Sequence, residues 1–157
     1  RPMQWDDSAN AGFTTVEPWE ELGTNIVVAN VKTQSTDDTS LLNWYRQLIQ
    51  YRKDYPVLST GGYTIIKCSD RGIYAALRES EEETILVLIN MSKNPIADFK
   101  LSFEGSNLAD GRYSGEPILG DITITDLMVT GGTLTDYQSL FTLEPFKIIL
   151  MRLVPTE

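Results

Sequence analysis

Acidic side chains are the first candidates for chemistry in this sequence, notably those of Asp6-Asp7, Asp37-Asp38 and the run from Glu79 to Glu83. Neighbouring carboxylates can act as general acid and base, or they can bind hard cations. No Asp-x-Asp-x-Asp-Gly loop with a later Glu is present, so we interpret the second and third groups as a solvated helix cap and a charged hairpin turn. The sequence predicts neither a metal site nor a cofactor.

Nucleophilic and metal-binding side chains are scarce. Cys68 is the single cysteine and histidine is absent, so the usual zinc ligand and proton shuttle are missing and no intrachain disulfide can form. We expect Cys68 to be a small buried apolar group, because no His can activate it as a nucleophile. Asn90-Met91-Ser92 fits the N-glycosylation pattern, which matters only in a secreted eukaryotic protein.

Charge and composition narrow the classes of partner. The 157 residues carry 22 acidic and 13 basic side chains, for a net charge of -9. This charge repels phosphate backbones, so nucleic acid is not an expected partner. No run of about 18 apolar residues is present, so we expect no contact with a membrane. The opening Arg-Pro-Met-Gln-Trp resembles neither a signal peptide nor a natural start, which indicates a piece of a longer protein. The compartment stays undetermined, with a slight preference for the cytoplasm.

The amino-terminal third predicts a loop followed by one helix. Arg1 to Leu22 combines aromatic residues with Pro, Gly, Asn and Asp and has neither the period of a helix nor that of a strand. Between Thr36 and Tyr55, capping residues precede apolar side chains at helical spacing, and basic residues follow them. Pro56 ends the helix, because a proline cannot donate the next backbone hydrogen bond.

Short β-rich segments separated by turn residues follow Gly61-Gly62 and predict an antiparallel β-sandwich or barrel. Thr84 to Met91 is almost continuously apolar, as in a central strand buried on both faces, whereas Phe99 to Phe103 alternates and is expected nearer an edge. Several hairpin registers are open between Asn107 and Tyr137. The remaining predicted strands are Tyr63 to Cys68, Gly72 to Arg78, Ile96 to Phe103, Ile118 to Thr125 and Leu143 to Leu153.

Several motifs resemble the segment that follows the catalytic residues in α-glucosidases, oligo-1,6-glucosidases and related enzymes of the α-amylase family. The longest is Arg1-Pro2-Met3-Gln4-Trp5-Asp6-Asp7-Ser8-Ala9-Asn10-Ala11-Gly12-Phe13-Thr14. The resemblance continues in Pro18-Trp19, Ser40-Leu41-Leu42-Asn43-Trp44-Tyr45, Leu48-Ile49-Gln50-Tyr51-Arg52-Lys53, Tyr55-Pro56-Val57-Leu58, Val87-Leu88-Ile89-Asn90-Met91-Ser92 and Leu143-Glu144-Pro145-Phe146-Lys147-Ile148-Ile149-Leu150. It is strongest through Leu58 and weak between Asn107 and Tyr137.

The resemblance implies a mainly β fold. Residues 1–60 are expected to be a remnant of the family's (β/α)₈ barrel, comprising the aromatic-rich loop and its last helix. Residues 61–157 are expected to form the Greek-key-like carboxy-terminal β-sandwich. The family's catalytic Asp nucleophile, Glu acid/base and further Asp lie upstream of the matched segment. Retaining hydrolysis needs two carboxyls about 5 Å apart on a rigid scaffold, which sequence neighbours such as Asp6 and Asp7 on a loop do not provide.

Two residues are candidates for contact with substrate. Related enzymes often show an Arg, then one further residue, then Pro-Met-Gln-Trp, and that Arg resembles a clamp on the bound glucose. Arg1 directly precedes Pro2 and so matches the intervening position, where a solvated cation is the alternative. Trp5, like Phe13 and Trp19, can stack on a sugar ring, but pinning the loop to a neighbouring surface is the favoured role.

Three functions remain open at this stage. The chain is expected to be a non-catalytic part of an α-glucosidase- or α-amylase-like hydrolase, supporting the catalytic barrel of the same polypeptide and meeting an α-glucoside only through that enzyme. The alternatives are an independent carbohydrate-binding module, which would use Tyr63, Tyr74, Tyr113 and Tyr137, and a glucosidase-like ectodomain without catalysis. Separated from the barrel, the chain is expected to self-associate through its exposed apolar residues.

Overall fold

The computed structural model describes residues 1–156, which form two compact units. The first unit is Arg1–Asp54 and the second begins at Tyr55. Among the described residues, no helix is long and apolar enough to cross a bilayer. The domain assignment of 1–60 and 61–157 stays a prediction.

The first unit contains the predicted helix. It begins at Leu41 and ends at Asp54, and it is named α2 because a short helix, α1, precedes it at Val31–Ser35. The α2 helix begins directly after the predicted capping residues, and Ser40 caps it, with its Oγ accepting a hydrogen bond from the Asn43 N–H at 3.2 Å. The α1 helix is capped by Asn30, whose side chain accepts from the Thr33 N–H at 2.8 Å.

Residues 9–12 of the loop form a compact left-handed turn. Asn10, Ala11 and Gly12 all have positive φ (55°, 56° and 65°), a region that side chains larger than hydrogen disfavour. The turn is held because the buried Ala11 carbonyl accepts from the Trp5 and Asp6 N–H groups at 2.9 and 3.3 Å. A Cβ on Gly12 would come within 2.8 Å of an Asp6 carboxylate oxygen. Both the positive φ and the lack of space for a Cβ therefore favour glycine at this position.

The second unit is antiparallel β, as predicted. A short helix, α3 (Val57–Thr60), precedes nine strands. The six-stranded sheet has the order β1-β3-β4-β9-β6-β7 and the three-stranded sheet the order β2-β5-β8. The strands are β1 Gly62–Ile65, β2 Lys67–Cys68, β3 Ile73–Glu79, β4 Thr84–Asn90, β5 Lys100–Phe103, β6 Gly111–Leu119, β7 Ile124–Val129, β8 Leu134–Gln138 and β9 Ile148–Thr156.

Strand β9 is the last strand in sequence but lies between β4 and β6. This non-local pairing is the feature expected of a Greek-key-like sandwich. Both sheets contribute to one core, with Leu88 and Met151 from the large sheet and Phe99, Leu101 and Leu143 from the other side. The centre of the sandwich is therefore closed by residues far apart in sequence.

The prediction for Thr84 to Met91 is confirmed, because β4 is an inner strand and Ile85, Leu86 and Leu88, which lie on both of its faces, are buried. The prediction that Phe99 to Phe103 lies nearer an edge was wrong, because β5 is the middle strand of the small sheet. Its alternation is real, with Leu101 and Phe103 buried between wetter neighbours. Alternation reports one wet face and does not report the position of a strand in its sheet.

The stretch between Asn107 and Tyr137 also departs from the prediction. A strand from Ile118 to Thr125 was wrong, because Gly120 and Asp121 lie in the turn between β6 and β7. Gly120 has a φ of 97°, which suits a turn and not a strand. Strand β8 was missed, because its short Leu-Thr-Asp-Tyr-Gln sequence gives a weak periodic signal.

Asn90 joins three segments at the end of β4. Its side chain is fully buried, and its amide nitrogen donates to the carbonyls of Asn94, Leu143 and Glu144 at 2.8, 2.9 and 3.1 Å. Its side-chain oxygen accepts from the Ser92 N–H at 2.9 Å. The side chain that fits the glycosylation pattern is thus occupied inside the fold.

Replacing Asn90 with Ala should lower the free energy of unfolding by about 2 kcal/mol or more, because buried carbonyls lose their donor. Urea denaturation of the wild type and of Asn90→Ala measures this. The control is Asn94→Ala, which removes an exposed side chain and keeps the acceptor carbonyl. Equal stability of the two variants would contradict the role given to Asn90.

Replacing Gly12 with Ala should open the left-handed turn, at a cost of about 1–2 kcal/mol from the backbone alone. We expect faster hydrogen exchange at the Trp5 and Asp6 amides, measured by NMR. Gly105→Ala is the control, because Gly105 also has positive φ (75°) but no atom within 4 Å of a new Cβ. It should leave both amides unchanged; unaltered exchange in Gly12→Ala would count against the turn.

Candidate functional site

The two candidate substrate contacts, Arg1 and Trp5, lie on the amino-terminal loop and are both exposed. The main chain of Trp5 is fixed on both sides, since its N–H donates to Ala11 and its carbonyl accepts from the Lys32 N–H at 2.9 Å. The Gln4 carbonyl accepts from Val31 in the same way, at 3.0 Å. The loop is therefore tied to the first turn of α1, while the Trp5 indole stays 50% exposed.

Two open grooves flank the start of the chain, and Arg1, Pro2 and Met3 line both of them. The larger, about 490 Å³, extends to Gln34, Leu41 and Tyr45 on the helical side. The smaller, about 320 Å³, extends to Phe13, Trp19 and Glu20. Trp5 lines neither groove, so the structure does not bring the two candidate residues together in one cavity. Their roles in binding substrate stay predictions.

Large apolar side chains of the first unit remain in water. Trp19 is 89% exposed, and Met3 and Phe13 are close to half exposed. On α2, the residues Leu41, Tyr45 and Ile49 are all more than half exposed, and no residue of the helix is buried. Their spacing of four residues places them in one stripe along the helix. The first unit thus presents an apolar helix face and an aromatic loop that the described residues do not cover.

Carboxylates of the first unit act as local caps. The Asp6 carboxylate accepts from the Ser8 hydroxyl and from the Ser8 N–H, and these two hydrogen bonds lower its pKa. Asp37 accepts from the Thr39 hydroxyl and N–H, which lowers the pKa of Asp37 for the same reason. Asp7 is 3.4 Å from the Lys32 ammonium. A general acid needs a raised pKa, so the pKa of Asp6 is shifted in the wrong direction for that role.

The acidic run from Glu79 to Glu83 lies at the turn between β3 and β4, as the sequence predicts. Glu79 is buried and accepts from the Thr64 hydroxyl and from the Asn107 N–H. Glu83 is 3.2 Å from Arg152, whose guanidinium also lies over the Tyr55 ring. Across residues 1–156, no group of three or more His, Cys, Asp or Glu side chains could hold a metal ion.

Cys68 is partly buried against the core, and this burial raises the pKa of its thiol. A raised pKa lowers the thiolate fraction and hence reactivity. This agrees with the interpretation of Cys68 as a small apolar group.

The four tyrosines considered for carbohydrate binding have different surroundings. Tyr113 is buried and donates to the Ala109 carbonyl at 3.0 Å, and Tyr137 packs against the core. Tyr63 and Tyr74 are exposed, and their hydroxyl oxygens are 3.2 Å apart. The sequence identifies all four tyrosines as candidates, but it does not indicate which two are in contact.

Comparison with known proteins places these features in a family. The family model described as "Alpha amylase, catalytic domain" matches residues 1–61, which include the aromatic loop and α2. An oligo-1,6-glucosidase of Parageobacillus thermoglucosidasius is 41% identical over 96 residues, covering 60% of this chain and 17% of that protein. A trehalose-6-phosphate hydrolase of Bacillus subtilis (strain 168) is 32% identical over 97% of this chain and 25% of its own length.

A solved structure carries the comparison through both units. The trehalulose synthase of Pseudomonas mesoacidophila MX-45 is similar over 96% of this chain and 24% of its own, with a TM-score of 0.69 and 31% identity. The chain therefore spans a quarter or less of the length of each of these three proteins. The sequence identity extends over nearly the whole chain, and it agrees with the family motifs and with the antiparallel β fold. The chain belongs to the α-amylase family of glycoside hydrolases and is related to its α-glucosidases.

Proposed function

We propose that this chain is a non-catalytic supporting part of an α-glucosidase- or α-amylase-type hydrolase that acts on α-glucosidic bonds. In this proposal the loop and α2 complete a (β/α)₈ barrel of the same polypeptide, and the β unit supports that barrel. The observation that carries the proposal is the uncovered apolar stripe of Leu41, Tyr45 and Ile49. Each apolar Å² left in water costs about 25 cal/mol, so a native covering surface is expected.

The family comparison supports this assignment of the stripe. The matched model describes a catalytic domain, and residues 1–61 include both the loop and α2. The relatives are an oligo-1,6-glucosidase and a trehalose-6-phosphate hydrolase, which this chain covers by 17% and 25% of their length. Most of the length of each relative lies outside the matched segment, which is enough for a catalytic barrel in the same polypeptide.

The chemistry of the loop carboxylates also supports a non-catalytic role. Hydrolysis with retention needs one carboxyl as acid and one as nucleophile about 5 Å apart on a rigid scaffold. Asp6 instead holds the Ser8 turn and Asp7 pairs with Lys32. Arg1 and Trp5 are the residues of the chain that we assign to the rim of the α-glucoside pocket in the complete enzyme, because the loop exposes both.

Catalysis provides the direct test. Incubated with maltose, sucrose or nitrophenyl α-glucoside, the isolated chain should release no glucose, because the acid and nucleophile must come from the barrel. A hybrid in which this chain replaces the matching segment of the Parageobacillus oligo-1,6-glucosidase should hydrolyse nitrophenyl α-glucoside. Turnover by the isolated chain, or a folded hybrid without activity, would contradict the proposal.

Self-association provides a second test. In sedimentation velocity the isolated chain should associate with increasing concentration, because the stripe on α2 and the aromatic loop can be buried against another copy of the chain. Leu41→Gln should reduce association. The matched control is Leu140→Gln, which removes a leucine of the second unit that is 85% exposed and outside the stripe. A wild-type monomer at all concentrations, or equal effects of both variants, would contradict the predicted role of α2.

A further inference from the structure

Two tyrosines meet on the outer face of the large sheet, near its β1 edge. Tyr63 on β1 pairs with Arg78 on β3, and Ile65 pairs with Ala76. Tyr74 lies four residues from Arg78 on β3, and alternate residues share a face, so Tyr63, Ile65, Tyr74 and Arg78 project from the same side. The inner face of the same strands is the buried core.

The two phenol rings lean toward each other along the strands. Four residues of strand span about 13 Å, yet the Tyr63 and Tyr74 hydroxyls are 3.2 Å apart. Both side chains must therefore extend along the sheet, over the pair formed by Ile65 and Ala76. Ala76 is fully buried, whereas Tyr63, Ile65 and Tyr74 are 50%, 61% and 37% exposed. The result is a partly exposed apolar strip along the strands, about 13 Å long, in which the two hydroxyls are close together.

The strip is held in place before any ligand arrives. The Arg78 guanidinium lies 6.0 Å from the centre of the Tyr63 ring, and its Nη2 donates to the Gly61 carbonyl at 2.8 Å. The hydroxyl pair fixes the far ends of both rings. Tyrosine has only two rotatable side-chain torsions, so a pair constrained in this way loses little further entropy on binding.

We propose that Tyr63 and Tyr74, with Ile65 between them, form a surface binding site for α-linked gluco-oligosaccharides, separate from any catalytic pocket. A sugar offers C–H groups on its faces and hydroxyls around its edge, which match aromatic faces and phenol hydroxyls respectively. A hydrogen bond between two hydroxyls uses one donor and leaves one donor and several acceptors for the ligand. The choice of an α-glucan rests on the proposed function, whereas the site rests on the geometry of the tyrosines.

The pKa of Tyr74 favours its protonated, neutral hydroxyl. The hydrogen bond with Tyr63, followed by partial burial, raises the pKa of Tyr74 above the ordinary tyrosine value. A raised pKa means that the folded state favours the neutral phenol, so the hydroxyl still donates at neutral and mildly alkaline pH. Binding is expected to weaken when alkaline pH ionises Tyr74.

Other aromatic residues are poorer candidates for this role. Tyr113 and Tyr137 are engaged with the core, and the Tyr55 ring lies under Arg152. Trp19 is more exposed than either tyrosine of the strip but belongs to the loop of the first unit. It is therefore the matched control for non-specific stacking on an exposed ring.

The test is a titration of the full chain with maltoheptaose and with isomaltotriose, followed by calorimetry and by NMR of the tyrosine ring protons. Wild type and Trp19→Ala should bind alike and shift the Tyr63 and Tyr74 signals. Tyr63→Ala and Tyr74→Ala should each weaken binding at least tenfold. Tyr74→Phe keeps the ring and should lose less affinity than Tyr74→Ala. Circular dichroism checks that these surface variants keep the wild-type fold.

Three results would overturn the site: no binding by wild type at millimolar oligosaccharide, loss of binding in Trp19→Ala alone, or full binding by the tyrosine double variant Tyr63→Ala/Tyr74→Ala. The hybrid enzyme separates this failure from failure of the proposed function. An active hybrid with no oligosaccharide binding by the chain removes the site only. An inactive hybrid, alongside binding through the tyrosines, removes the supporting role only.

Discussion

Burial of strand β4 on both faces is the constraint on which the second unit depends. One face contributes Leu86 and Leu88 to the core between the sheets. The other face contributes Ile85, which is equally buried. A strand with two apolar faces needs cover on each, and α3 supplies part of it by packing on β3 and β4 through the buried Val57. The short helix after Pro56 thus contributes to the cover of the sheet.

The two units differ in how far their apolar side chains are covered. The second unit has large apolar residues from both sheets in a common core, whereas no residue of α2 is buried. Polar side chains of the first unit are well satisfied, since Asp6, Asp37, Asn30 and Ser40 all accept local backbone donors. Caps and turns therefore determine the local geometry of the first unit. Its large apolar side chains do not pack in a common core as those of the second unit do.

Periodicity and turn chemistry predicted much of this fold. Helix α2, the inner position of β4 and the charged turn after Glu79 follow from local patterns that the tertiary structure does not override. The position of β5 could not be inferred, because alternation describes one face and not the number of neighbouring strands. The turn at Gly120-Asp121 was missed because several glycines allowed more than one hairpin, and strand β8 was missed because its five residues give a weak periodic signal.

The candidate site was predictable only in part. The motif around Met3 and Trp5 indicated the family and the loop, but not that Arg1 and Trp5 point to different surroundings. The contact between Tyr63 and Tyr74 depends on strand register and on the side-chain torsions of both residues. Neither the register nor the torsions can be inferred from a single sequence, so the contact is found only once the pairing of β1 with β3 is known.

The position of β9 has a consequence for synthesis. This strand leaves the ribosome after both of the strands that it pairs with, β4 on one side and β6 on the other. Until it emerges, the nascent chain exposes two open strand edges and an unfinished core. Closure of the large sheet therefore waits for β9, and the long sequence separations of its pairings favour slow folding relative to the local hairpin of β3 and β4.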